Sequence, residues 1–208
     1  MRTSVYVDGF NLYFGALKNT KYKWLDIKSL CSNLLHPYNQ ISAIKYFTAH
    51  VSGTARDPNK PIHQQIYLRA LKHTTPEITI ILGQFTTHKV IKRLVIPIGL
   101  VKRVEVYETT EKGSDVNLAV HLLNDAWLDK FDCAIVISGD SDLAESINLV
   151  KGYHPQKIVG ILAPGKRSMS KELIKASDFI KAISTHSLIQ SQFPETIPGS
   201  TIKKPIDW

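Results

Sequence analysis

Short apolar runs alternate along the chain with segments of helical spacing, and each such pair predicts a strand followed by a helix. β-branched and aromatic residues from Thr3 to Val7 predict the first strand, which ends at Asp8-Gly9. Further strands are predicted at 43–51, 77–82, 133–137 and 157–162, and a short closing strand or turn at 178–183. Helices are predicted at 27–35, 62–71, 116–128, 143–151 and 169–176. This alternation predicts an α/β domain with a mostly parallel central sheet of about five strands and helices on both faces.

Two segments depart from this alternation. Residues 85–107 alternate β-branched residues with lysine and arginine and are interrupted at Pro97 and Gly99, which predicts a basic β-hairpin or extended arm. Such an arm can contact phosphate or be a solvated hairpin whose charges deter aggregation, and the two roles are compatible. Residues 186–208 contain prolines and scattered polar residues and predict a tail without its own core, beyond a domain of 1–185. A mobile tail is expected, and the alternative is that Trp208 docks on the domain.

Composition narrows the class of protein. The chain of 208 residues is 43% hydrophobic, which suits one globular α/β domain. No apolar run approaches the roughly 18–20 residues that a membrane helix needs, so no membrane association is expected. Cys31 and Cys133 are far apart in apolar contexts, which predicts two reduced core thiols and a cytoplasmic location. The net charge of +8 is consistent with a polyanionic partner, although many proteins simply have a basic surface.

Carboxylates follow two of the predicted strands directly. Asp8 follows the first strand, and Asp140 and Asp142 follow the apolar run 133–137. Ligands of doubly wound sheets bind outside the carboxyl ends of the strands where the strand order switches, so these side chains are expected to be neighbours. The alternative is local: Asp140 caps the next helix and Asp142 complements its dipole.

Asp115 is expected at the same edge of the sheet. It heads a helical stripe that continues through Leu118, Ala119, Leu122 and Ala126, and this apolar stripe must face the sheet. Asp115 could instead cap this helix, but Ser114 is expected to do so already, which weakens that alternative. Four carboxylates in one small volume repel each other unless they are protonated or bridged by cations. A hard divalent ion with oxygen ligands, Mg²⁺ or Mn²⁺, satisfies them best.

Three motifs together resemble the NYN domain, in the LabA-like branch of the PIN-like nucleases. They are VYVDGFNL at 5–12, EKGSDV at 111–116 and SGDSDL at 138–143, and the resemblance extends over about residues 3 to 183. It implies a PIN-like Rossmannoid sheet and a divalent-metal-dependent ribonuclease acting on single-stranded or structured RNA. Leu143 stands where the related motif often has an aromatic residue, and no acidic residue from an earlier helix has a convincing equivalent here.

The resemblance also implies roles for individual residues. The catalytic metal cluster would be Asp8, Asp115, Asp140 and Asp142. Asn11 would support the cluster or touch the substrate, and Ser138 would form a hydrogen bond beside it. Residues that would neutralise or bind neighbouring phosphates are Lys112, Lys166, Arg167 and Ser168. Binding-only members of such families exist, so the alternative is a non-catalytic RNA-binding or scaffold module that retains the metal site. A homodimer, with the basic arm contacting a second subunit, stays open.

Overall fold

Six parallel strands form the central sheet in the order β3-β2-β1-β6-β7-β8, and two antiparallel strands form a separate ribbon, β4-β5. The computed structural model describes residues 1–55, 57–165 and 170–208. The strands are β1 (Arg2–Asp8), β2 (Gln40–Thr48), β3 (Ile78–Leu82), β4 (Gln84–Ile98), β5 (Val101–Lys112), β6 (Cys133–Ile137), β7 (Ile158–Pro164) and β8 (Phe179–Ile183).

Seven α-helices are present in the described part of the chain: α1 (Gly9–Leu12), α2 (Ile27–Leu34), α3 (Lys60–Thr74), α4 (Ser114–Trp127), α5 (Ala144–Tyr153), α6 (Lys171–Ala176) and α7 (Thr185–Gln190). A π-helical turn, Tyr13–Leu17, extends α1, and a 3₁₀ turn, Ser141–Leu143, precedes α5. Among these helices we find none with the length and apolar content to cross a membrane.

Helices cover both faces of the sheet, as the sequence predicts. On one face α1, α2, α3 and α7 pack on inward residues of the central strands such as Val5 and Ile135. On the other face α4, α5 and α6 pack on alternate residues such as Tyr6 and Val136. Because β1 and β6 lie in the middle of a sheet that is covered twice, nearly every residue in them is buried. Both cysteines are free and buried, as predicted.

The sheet has one strand more than the predicted five or so. The segment predicted as a closing strand or turn forms β8, which pairs in parallel with β7 from Gly160↔Phe179 to Pro164↔Ile183. The predicted switch in strand order is present, because β1 pairs with β2 on one side and with β6 on the other.

The predicted basic arm is an antiparallel ribbon, longer than the expected 85–107, that runs from Gln84↔Lys112 to Ile98↔Val101. Its tip exposes apolar side chains, among them Val95 and Leu100, which are 100% and 98% exposed. Contact of this arm with phosphate stays a prediction.

The tail packs on the domain instead of being mobile. Phe193 and Ile197 belong to the core beneath α2 and α3, and the Trp24 indole donates a hydrogen bond to the Pro194 carbonyl at 2.8 Å. Trp208 packs its ring against Trp24 and Tyr67. These large apolar side chains explain the difference, since their burial offsets the cost of ordering a proline-containing segment.

A buried ion pair ties α4 to the sheet. Asp125 of α4 is 2% exposed, and its carboxylate lies 2.5 Å from the Lys45 ammonium of β2. The same oxygen accepts a hydrogen bond of 2.8 Å from the Tyr6 hydroxyl of β1. These contacts hold the pKa of Asp125 below its usual range, although burial alone would raise it. His121, the histidine on this helix, lies 3.2 Å from the same ammonium.

We expect Asp125→Ala to lower the free energy of unfolding by about 3 kcal/mol, because it leaves a largely buried ammonium and a buried hydroxyl without their acceptor. Urea denaturation measures this change. The matched control is Lys92→Ala, which removes a solvent-exposed pair with Glu108 and should leave the unfolding free energy nearly unchanged. Equal losses in the two variants would contradict the anchoring role of Asp125.

Candidate functional site

Acidic side chains from four parts of the chain meet at the switch point of the sheet. After β1 the chain turns to the face covered by α1, whereas after β6 it leads to α5 on the opposite face, so a crevice opens between them. We call this crevice the acidic cleft and define it by Asp8, Asn11, Glu111, Asp115 and Asp140. The cleft thus lies where the topology of the sheet predicts a ligand site.

Asp8 is the most buried of these carboxylates. It ends β1, is 4% exposed, and caps α1 by accepting the Asn11 backbone N–H at 2.9 Å. Its second oxygen accepts the Ser138 hydroxyl at 3.0 Å. Burial raises the pKa of the Asp8 carboxyl to about 6; the negative charges of Asp115 and Asp140 add to the rise, and the two hydrogen bonds oppose it.

The loop after β6 is fixed to α1 by a chain of hydrogen bonds. The Gly139 backbone N–H donates to the side-chain carbonyl of Asn11 at 3.0 Å. The Asp140 backbone N–H donates to the Ser138 hydroxyl oxygen at 3.1 Å. Asn11 therefore holds the loop before Asp140, and Ser138, 1% exposed, holds the Asp8 carboxylate. Contact of either residue with substrate stays a prediction.

The two aspartates of the SGDSDL motif have different environments. Asp140 is half-buried in the cleft and also caps the 3₁₀ turn, accepting the Asp142 backbone N–H at 3.1 Å. Asp140 therefore caps the next turn, as the local alternative predicts, and it also lines the acidic cleft. Asp142 is exposed and stands outside the lining of the acidic cleft. It acts at longer range, as the weakest of the charges that raise the pKa of Asp115.

Asp115 faces the cleft from the first turn of α4. The helix starts after Gly113, whose φ of +100° is a conformation that favours glycine. Leu118, Leu122 and Ala126 are buried below Asp115 and Ala119 is partly buried, as the stripe predicts. The pKa of Asp115 is raised by burial first and then by Asp140, Glu111 and Asp142.

Glu111 is a cleft carboxylate that the sequence reasoning missed. Its Oε1 accepts the Ser114 backbone N–H at 3.1 Å and the Ser114 hydroxyl at 2.8 Å. The prediction that Ser114 caps α4 is therefore wrong, since Ser114 is the first helical residue and Glu111 satisfies its N–H. An acidic residue three positions before the helix start is the signal that could have identified it. Gly83 packs against Glu111, and a Cβ at Gly83 would collide with its carboxylate.

The described residues leave the acidic side chains without a paired cation. In this part of the chain, none of Asp8, Asp115 and Asp140 forms an ion pair with lysine or arginine. The lysines that line the cleft are Lys18 and Lys60. Lys112 is exposed at the end of β5, and the other predicted phosphate ligands, Lys166, Arg167 and Ser168, lie outside the described residues.

These geometric features define a Rossmann-like α/β domain with an acidic cleft at its switch point. The NYN domain model matches residues 2–184, and the chain belongs to this family, whose members are generally PIN-like nucleases that use divalent metals. Assignment to the LabA-like branch stays a prediction.

Two known proteins are similar to this chain. It is 31% identical to 6-hydroxy-3-succinoylpyridine 3-monooxygenase HspA of Pseudomonas putida, in an alignment that covers 100% of this chain and 75% of that protein. It also resembles the crystal structure of VPA0982, a protein of unknown function from Vibrio parahaemolyticus, with a TM-score of 0.57. That likeness covers 92% of this chain and 96% of the other at 16% identity, and it shows the fold alone.

The raised pKa of Asp8 predicts a stabilising substitution. The folded state holds this proton more tightly than the unfolded state, so ionisation destabilises the fold increasingly from pH 4 to about 6 and by a constant amount above that. In metal-free buffer at pH 7.5, Asp8→Asn should raise the free energy of unfolding by about 1–3 kcal/mol. The asparagine side chain can still accept from Asn11.

Urea denaturation of the wild type and Asp8→Asn at several pH values, with a chelator present, tests this expectation. The difference between the two proteins should be small at pH 4 and reach its plateau above about pH 6. If Asp8→Asn is less stable than the wild type at every pH, the prediction is wrong, because the fold then stabilises the ionised Asp8 carboxylate. Asp132→Asn is the matched control, since Asp132 lies just before the other end of β6 in an exposed pair with Arg2.

Proposed function

We propose that this protein is a divalent-metal-dependent ribonuclease that hydrolyses RNA phosphodiester bonds in the acidic cleft. The observation that carries the proposal is the convergence of Asp8, Asp115 and Asp140, from three separate elements of an NYN domain, on one cleft at the switch point. A carboxylate as buried as Asp8 is costly to ionise, and a bound cation would remove that cost.

The donor set fits a hard divalent ion. Carboxylate and amide oxygens are the ligands that Mg²⁺ and Mn²⁺ prefer. Within the described ranges, no group of three or more His, Cys, Asp or Glu side chains is spaced to hold one ion. Mg²⁺ commonly binds through one or two carboxylates and keeps water and phosphate oxygens as its other ligands, so it does not require three carboxylates at one point. One or two of Asp8, Asp115 and Asp140 would bind the ion directly and the others would act through its water ligands, with Asp142 further out.

Each residue of the cleft then has a defined task. A bound ion supplies a water of lowered pKa and stabilises charge that develops on the phosphate. Ser138 and Asn11 keep the Asp8 carboxylate and the loop before Asp140 in place. Lys18 and Lys60 line the cleft and would neutralise phosphates of the bound strand. The net charge of +8 favours a polyanionic substrate, and the family favours RNA over DNA.

A second candidate function comes from the Pseudomonas relative, whose name gives it a monooxygenase activity on a hydroxypyridine. The observation that favours it here is an apolar cavity lined by aromatic side chains beside the acidic cleft. A monooxygenase transfers one atom of dioxygen to its substrate and reduces the other to water, so it needs at least two electrons from an added reductant such as a reduced nicotinamide. Consumption of 6-hydroxy-3-succinoylpyridine that requires both dioxygen and the reductant would support this candidate.

The ribonuclease proposal predicts metal-dependent cleavage that Asp140→Asn abolishes. The wild type should cleave members of an RNA panel with Mg²⁺ or Mn²⁺ and lose this activity in chelator. Asp140→Asn should lower the rate at least about 100-fold without weakening RNA binding, because a ligand is lost and a negative charge is removed. Cleavage is followed on gels and binding by fluorescence anisotropy.

Asp132→Asn provides the control for this experiment as well, and it should cleave like the wild type. Equal cleavage by Asp140→Asn with an intact fold would exclude the acidic cleft as the site. RNA binding by the wild type without cleavage under any metal condition would instead establish the non-catalytic binding module.

A further inference from the structure

An aromatic cavity lies beside the acidic cleft. Its volume is about 90 Å³, and aromatic side chains from distant parts of the chain contribute to its wall. We define the aromatic cavity by Tyr13, Phe14, Tyr46, Tyr67 and Trp208. They come from the π-helical turn, β2, α3 and the C-terminal segment, so the cavity exists only because the tail packs on the domain.

The walls of the aromatic cavity are held in place by contacts outside it. The Tyr67 hydroxyl donates to the Leu25 carbonyl at 2.8 Å. The Tyr67 ring centroid lies 6.3 Å from that of Tyr46 and 5.8 Å from that of Trp208, both at steep interplanar angles. Gln64, a further wall residue, is fixed by its bonds to Val51 and Ala49. The cavity is therefore formed before a ligand arrives.

Tyr46 brings a hydroxyl to these walls that forms no hydrogen bond with any described residue. Its side chain is 6% exposed and lines the cavity, and no described residue forms a hydrogen bond with its hydroxyl. Burial and the nearby negative charge of Asp8 raise the pKa of this phenol, so it stays neutral and can both donate and accept. The hydroxyl is therefore available to form a hydrogen bond with a polar atom of a ligand in the cavity.

The aromatic cavity opens into the acidic cleft. Phe10, Phe14, Val51 and Lys60 line both, so a ligand can occupy both at once. Lys60 lies at this junction with the only positive charge that the two linings share among the described residues. A ligand whose ring lies in the aromatic cavity can therefore place an anionic group at Lys60, between the ring and the carboxylates of the acidic cleft.

The volume of the aromatic cavity limits the size of the ring that it can bind. An enclosed apolar cavity of about 150 Å³ accepts one benzene molecule. A cavity of 90 Å³ with an open mouth therefore fits one six-membered ring partly inserted, and two fused rings would extend beyond its walls. Aromatic walls favour a planar ring that can stack on them or meet their edges.

We propose that the aromatic cavity binds a single six-membered nitrogen heteroaromatic ring whose anionic substituent lies at Lys60. In the proposed ribonuclease, on which this identification of the ligand rests, the ring is the pyrimidine base next to the scissile phosphate. A free hydroxypyridine carrying an acidic chain has the same chemistry. Tyr46 forms the hydrogen bond to the ring, and the aromatic walls exclude purines.

Binding of small probes to the full chain in chelator tests this site without any turnover. Uridine 5′-monophosphate, adenosine 5′-monophosphate, ribose 5-phosphate and 6-hydroxy-3-succinoylpyridine are each titrated while tryptophan fluorescence is followed, because Trp208 lines the cavity. Uridine monophosphate should bind at least about 10-fold more tightly than adenosine monophosphate and ribose phosphate, given the stacking of one ring.

Three variants separate the contributions of the Tyr46 hydroxyl and the Lys60 charge to probe binding. Tyr46→Phe should weaken uridine monophosphate about 5-fold, the loss of one hydrogen bond, and leave ribose phosphate unchanged. Lys60→Gln should weaken all anionic probes alike. Tyr107→Phe is the matched control, since Tyr107 is 74% exposed on the ribbon and should bind every probe like the wild type.

The outcomes distinguish this proposal from the proposed function. Tyr46-dependent binding of uridine monophosphate supports the ring site even if no RNA is cleaved. Tighter, Tyr46-dependent binding of the hydroxypyridine acid also supports it and assigns the ring to a free small molecule. Equal binding of purine and pyrimidine nucleotides, or no dependence on the ring in any probe, would overturn it.

Discussion

The burial of one carboxylate at the end of the central strand is the constraint on which this structure depends. Asp8 can be buried because β1 lies in the middle of a doubly covered sheet, and the fold then satisfies its oxygens with Asn11 and Ser138. The bond from Ser138 also joins the loop after β6 to the end of β1 at the switch point. The two hydrogen bonds do not offset the cost of burying the Asp8 charge, and the negative charges of Asp115 and Asp140 make ionisation of Asp8 still less favourable. Such an arrangement lowers stability and is typical of sites where selection maintains function at that cost.

The second part of the site depends on how α4 is anchored. Asp125 fixes one end of this helix to β1 and β2 through a largely buried ion pair, and Glu111 fixes the other end through Ser114. Asp115, one residue into the helix, therefore has little freedom to move away from the other carboxylates. Buried ion pairs are weak stabilisers relative to apolar packing, but they define position well. In this domain we infer that the pair contributes mainly by orienting α4.

Periodicity and the switch-point rule were sufficient to predict the sheet, the helices on both faces, and the meeting of Asp8, Asp115 and Asp140. Other features depend on contacts between residues distant in sequence. Phe193 and Trp208 carry no signal of burial until their partners are known, so the tail was expected to be mobile. Glu111 was missed because its partner Ser114 looked like a sufficient cap. The exposure of Asp142 follows from the 3₁₀ turn, whose geometry the apolar pattern does not specify.

A nuclease family and a relative named as a monooxygenase can be reconciled by separating the ring site from the reaction site. Folds host many chemistries, and function resides in the side chains placed on them. Here the aromatic cavity and the acidic cleft are distinct volumes that share a short boundary around Phe14 and Lys60. A pyrimidine nucleotide and a hydroxypyridine acid each present a planar six-membered ring and an anion, so one cavity can hold either. The reaction would then be decided by side chains in the acidic cleft and not by those in the aromatic cavity. Asp140 is one of these cleft side chains, on the loop that Asn11 holds.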